Sequence, residues 1–245
     1  MAEAGEDEWG VVAGLEGVPS ALAAARDGVD ALLRDRGWRA TTPALTAQSL
    51  LRGAVASAQL AGSESDLAEV SAGAADPLAR SALRLNTGLL ALAPVLARSP
   101  LEALARMHTL AAVGLVPEAE LGRPRADPRA AESLRALAGR LLRPSRAPAI
   151  AVAALAHAEI AAGEPFAAAS DLVARGLERL LLMVRGIDPA SVIVPEAGHR
   201  LGGVDYLDAL AGYRRGGASG ARAWLLYSCA ALGRGVRASP LADLG

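Results

Sequence analysis

Apolar residues recur at steps of three and four along most of the chain, broken by turns rich in Pro and Gly, and this spacing predicts a run of amphipathic helices. "SALAAARDGVDALLRDRG" reads as a helix capped by Ser20 and ended by Gly37, and "TPALTAQSLLRGAVASAQLAG" as one with Pro43 in its first turn and a stop at Gly62. "ADPLARSALRLNTGLLALAPVLARSP" predicts a helix broken or bent near Pro94, whose nitrogen carries no hydrogen to donate. The clearest helix start follows, with Ser99 as cap, Pro100 in the first turn and Glu102 just inside. Further helices are expected over 127–142, 171–186, 203–214 and 219–234. Between them, "APAIAVAALAHAEIAAG" is apolar on every side and belongs at the centre of the body. "GIDPASVIVPEAGHR" reads as irregular, with a short β-branched run as the only strand-like piece. Residues 1–18 read as a flexible acidic tail with Trp9 as an anchor, and 19–245 as a single helical domain without internal repeats. The fold class is all-α.

Composition sharpens this picture. Of 245 residues, 52% are hydrophobic but only 3% aromatic, so the core must be built from Ala, Leu and Val. The formal net charge is −1 and every basic residue is Arg, a balance that argues against nucleic-acid and acidic-membrane partners. The missing Lys and the single Asn86 point to a GC-rich genome. One cysteine, Cys229 in an apolar run, excludes an internal disulfide and a multi-thiolate metal site, so it reads as a small core hydrophobe. An acidic N-terminus and no apolar stretch of about 18 residues make the expected location cytoplasmic. No His spacing typical of zinc proteases and no Gly-x-Ser-x-Gly turn occurs. His157 and His108 read as core residues and His199 as part of an exposed loop.

One stretch departs from the Ala-Leu-Arg background. "EPFAAASDLVAR", residues 164–175, places an acid, a Pro-Phe pair and a small-residue turn directly before a helix, a layout that offers unpaired N–H groups to an anion. With the preceding buried helix, "HAEIAAGEPFAAASDLVARGLERL" resembles the core motif of the Fic/Doc (Fido) family. That motif runs His-Pro-Phe-x-Asp/Glu-Gly-Asn-Gly-Arg-x-x-Arg between two central helices. Its members mostly transfer AMP, or a related phosphate-containing group, from a nucleotide to a protein hydroxyl. The His acts as general base, the acid holds Mg²⁺, and the glycine loop and arginines bind phosphate.

Pro165, Phe166 and Arg175 match the signature, and His157 stands where many members carry an earlier His. Glu164 replaces the catalytic His, Ala168 the metal carboxylate, Leu172 the first arginine, and Ala169, Ser170 and Asp171 span the glycine loop. "SAQLAG" resembles the family's regulatory Ser/Thr-x-x-x-Glu-Gly/Asn motif, with Ser57 and Gly62 matching and Ala61 in place of the inhibitory Glu. Gly122 to Arg125 is similar to its Gly-x-x-Arg turn, with little room beyond it for the substrate-aligning β-hairpin.

The resemblance implies a compact Fic-like body with a central buried helix pair, carrying a catalytically degenerate, protein-binding or regulatory protein of bacterial origin. No metal or cofactor is expected; a protein partner is, and a homo-oligomer is allowed. Asp171 should cap the next helix and pair with Arg175 four residues on, while Leu172 and Phe166 fill the nucleotide's space and close the pocket. The alternative is an active AMP transferase on ATP and Mg²⁺, with Glu164 as base and Arg175, Ser170, Arg123 and Arg125 as phosphate contacts. "GRPRADPR" alone reads as a solvated turn, or as an anion site of Arg123, Arg125 and Arg129. A third reading is a helical module that resembles the family by accident.

Overall fold

The computed structural model describes residues 7–35 and 41–244. Twelve α-helices make up the described chain: α1 (Glu8–Ala13), α2 (Val18–Asp35), α3 (Pro43–Leu60), α4 (Leu67–Ser71), α5 (Pro77–Arg98), α6 (Pro100–Ala112), α7 (Pro128–Leu142), α8 (Ala149–Gly163), α9 (Ser170–Val184), α10 (Pro195–Gly202), α11 (Val204–Arg214) and α12 (Gly217–Arg237). The described residues contain no strand, only an isolated bridge between Val113 and Val116. The all-α expectation holds.

The centre is a pair. α8 and α9 are joined by six residues, so they run antiparallel, and His157 on the first faces Glu178 on the second. α8 is buried on nearly every face because Ala, Ile, Val and Leu occupy all its sides. Trp224 of α12 lies fully buried against it and donates its indole N–H to the Ala154 carbonyl at 2.7 Å. Small residues permit the tightest crossings. A Cβ on Gly198 of α10 would lie 2.0 Å from the Ala231 carbonyl of α12, so only glycine fits there.

Several local expectations are corrected. α5 runs on through Pro94. The carbonyl left without a partner belongs to Leu90, on the exposed side of the helix where water can reach it. Ser20 lies inside α2, which starts two residues earlier, and Gly37 lies outside the described residues. Ser99 precedes α6 without a side-chain capping bond. Thr42 and Asp127 do cap α3 and α7. Two short helices went unread: α4, held by the Asp66–Glu69 capping box, and α10, cut from the segment read as irregular.

The N-terminal segment is also more structured than a tail from residue 7 onward. α1 is docked through Trp9, which is buried and donates to Glu159 of α8 at 3.0 Å. Arg140 stacks on the Trp9 ring and pairs with the same carboxylate. Residues 1–6 lie outside the described residues. No helix among the described residues is long and apolar enough to cross a membrane.

Candidate functional site

The loop between α8 and α9 is shaped by two residues in the left-handed region, Glu164 (φ 43°) closing α8 and Ala169 (φ 57°) opening α9. Glycine adopts this backbone more readily than either. Ala169 therefore keeps a turn that a glycine loop would make, without the glycine. Ser170 holds the turn from within: its Oγ accepts from the Phe166 N–H at 3.1 Å. The loop is also tied to the turn before α7, where the Arg125 N–H donates to the Pro165 carbonyl at 2.9 Å.

A cleft of about 340 Å³ opens over this loop, bounded by Leu60 of α3 and by α11. Closure by packing is thus corrected. Leu172 is buried in the core, and Phe166 lines the cleft but stacks on His108 with ring centres 4.2 Å apart, so the two leave the space above the loop open. Glu164, Ser170, Asp171 and Arg175 all line the cleft; Arg123 and Arg125 do not. Arg125 instead pairs with Asp127 at 3.3 Å.

Each charged group at the cleft is already engaged. Glu164 reaches out to Arg214 of α11, with 60% of its side chain exposed. The Arg175 guanidinium is 1% exposed and donates to the Asp171 carboxylate at 2.8 Å, to the Ser57 hydroxyl at 2.8 Å and to the Ser57 carbonyl at 2.9 Å. The expected i,i+4 pair is present. The expected cap is not: Ala169 holds the cap position and Asp171 lies in the first turn. Ser57 meets the final arginine directly, while Ala61 and Gly62 end α3 beside it.

Arg175 is one of three buried charges on α9, with Glu178 and Arg179. Glu178 Oε2 accepts from His157 Nδ1 at 2.5 Å and His199 Nε2 at 2.7 Å. The remaining ring nitrogens face Tyr206 at 3.0 Å and Tyr227 at 3.2 Å, and Tyr206 in turn faces Arg175 at 3.4 Å. With both imidazoles donating to Glu178, each tyrosine O–H donates to an imidazole, and the chain of donors is complete. Burial raises the Tyr206 phenol, so its O–H keeps the proton this order needs. Burial lowers His157 to about 4, overcoming the pull of Glu178. Burial alone would push the Glu178 carboxyl up, but the facing imidazoles and their N–H donors hold it well below the usual carboxylate range. These three side chains form the one metal-capable group among the described residues, their ligand atoms within 4.8 Å of one another. Their protons are already fully shared, so the cluster is satisfied without an ion.

Arg179 binds Glu196 of α10 through two nitrogens, at 2.8 and 2.7 Å, and Ser49 and Ser191 at 3.1 and 2.9 Å. Asn86 donates to the same glutamate at 3.1 Å. His199 is buried on α10, contrary to its reading as a loop residue. Sequence reasoning missed Glu178, Arg179 and Glu196. The available signal was the 3–4 spacing of Arg175, Glu178 and Arg179 on a helix otherwise without charge from Leu172 onward.

No protein-family model and no curated protein matches this sequence. Solved structures do. A Fic family protein from Desulfovibrio desulfuricans G20 shares 19% identity and superposes with a TM-score of 0.76, over 92% of this chain and 75% of its own. Fic-1 from C. elegans shares 19% identity at a TM-score of 0.59, over 90% of this chain and 74% of its own. A point variant of the worm protein superposes at 0.61 with 16% identity, over 90% of this chain and 72% of its own. The chain has the Fic fold. At these identities the likeness is one of architecture, and accidental resemblance of the sequence motif is no longer needed to explain the order of its helices.

Proposed function

We propose that this chain is a catalytically degenerate Fic-fold protein, acting by binding or regulating another protein in the cytoplasm of a bacterium. The observation that carries this reading is the state of Glu164. It stands at the position of the family's general base, but its carboxylate is turned to Arg214 and into solvent. A positioned base contributes roughly 10²–10⁴ in rate, and it must reach the proton it removes.

The loop also fits ATP and Mg²⁺ poorly. Ala168 has no oxygen for a hard cation, which takes carboxylate, carbonyl or water ligands. Asp171, in the first turn of α9 beside the loop, is bonded to Arg175, and its negative charge lines the space a phosphate would enter. What the scaffold retains is an open cleft lined by paired charges, which this reading assigns to contact with a partner.

The open cleft favours one other reading, an AMP transferase in which Glu164 swings from Arg214 to act as base. Incubation of the purified chain with labelled ATP, Mg²⁺ and host lysate separates the two. The degenerate reading expects no labelled protein; transfer that Glu164→Ala abolishes would establish the enzyme.

A further inference from the structure

A larger cleft, of about 520 Å³, lies at the opposite end of the central helix pair. It is formed where α8 begins and α9 ends, roughly 20 Å from the α8–α9 loop at 1.5 Å of rise per residue. α1 and α2 wall its other side. Its body is apolar, with Ala13, Leu22, Ile150 and Ile187 among the lining residues. Its charge is one-sided: Arg26, Arg146 and Arg185 line it, and no acidic residue does.

The three arginines are not equally occupied. Arg26 gives its Nε to Asp30 at 2.9 Å. Arg146 offers its backbone N–H to Asp7 at 2.6 Å, with its side chain exposed. Arg185 forms no side-chain ion pair or hydrogen bond among the described residues, and burial lowers its pKa with no carboxylate to oppose the effect. It closes α9, where the helix offers partial negative charge, but a guanidinium has five N–H donors and the helix end satisfies few of them. An apolar cavity of this size with a few convergent polar groups is the usual form of a small-molecule site.

We propose that this cleft binds an unbranched aliphatic chain ending in an anionic head, the chain lying along the α1–α2 wall and the head paired with Arg185 and Arg146. The head is a carboxylate or a phosphate, since both match a guanidinium fork. The proposal is independent of the reading of the α8–α9 loop.

The test uses the full chain with decanoate and decyl phosphate below their micelle-forming concentrations, and with decanol and decyltrimethylammonium as uncharged and cationic controls. The anions should raise Tm by about 5–10 °C at about 100 Kd, and the tighter of the two names the head group. Arg185→Gln should weaken binding by about tenfold or more, the loss expected for one charge-assisted contact. Ala23→Phe, on the exposed wall of α2, should block binding by filling the cleft, and it keeps the test decisive if Arg185→Gln does not fold. No shift with either anion, an equal shift with decanol or decyltrimethylammonium, or full binding by Ala23→Phe would overturn the proposal.

Discussion

Arg175 Nε donates to the Ser57 hydroxyl at 2.8 Å, in a contact buried on both sides that locks α9 to α3. The resemblance places an inhibitory glutamate at position 61. Alanine stands there, and the serine four residues earlier takes the guanidinium instead, through both its hydroxyl and its carbonyl.

Ser57→Ala removes one acceptor from a buried cation. A hydrogen bond to a charged group contributes about 1.5–3 kcal/mol, so urea denaturation should show a loss of that order. Asp171→Ala should cost less, because that carboxylate is partly exposed and its pairing is screened by water. Equal effects at the two positions would contradict the assignment of Ser57 as the principal anchor.

The buried Arg179–Glu196 pair predicts a non-additive result. Arg179→Met leaves the buried Glu196 carboxylate without its guanidinium, with Asn86 as its remaining donor, and should destabilise by about 3–5 kcal/mol. Arg179→Met combined with Glu196→Leu should recover much of that loss, since removing both charges removes the uncompensated one. A double variant as unstable as the sum of the singles would show that packing, not charge, dominates here.

Acid sensitivity follows from His157. Its folded pKa is about 4 against 6.5 when unfolded, so the unfolded state binds the extra proton between those values. Stability should be full above about pH 6.5 and fall as pH drops toward 4, by on the order of 3 kcal/mol from this group. Glu178, held low, adds a loss in the same direction below about pH 4.5. Urea midpoints for the wild type and His157→Gln should therefore converge on acidification. Parallel curves would remove His157 as the cause.

The helical architecture was legible because it rests on local spacing. Pro43, Pro100 and Pro128 start helices where the sequence places them, and the all-apolar stretch 149–163 is the central helix. The misreadings share a cause in tertiary contact. Pro94 is tolerated because of which face meets water, α10 is stabilised by Gly198 meeting α12, and Phe166 left the cleft open by stacking on His108. Spacing alone does not reveal those partners. The same is true of the charges on α9: Arg175 was visible through its motif, whereas Glu178 and Arg179 owe their meaning to His157, His199 and Glu196, which other helices deliver.

On the proposed reading, the α8–α9 loop lacks the groups that hold a nucleotide and its cation. Thermal unfolding of the purified chain with ATP, with and without Mg²⁺, tests this most directly, because a ligand that binds only the folded state must raise Tm. No shift is expected in either condition; a Mg²⁺-dependent rise abolished by Arg175→Ala or Glu164→Ala would contradict the degenerate reading.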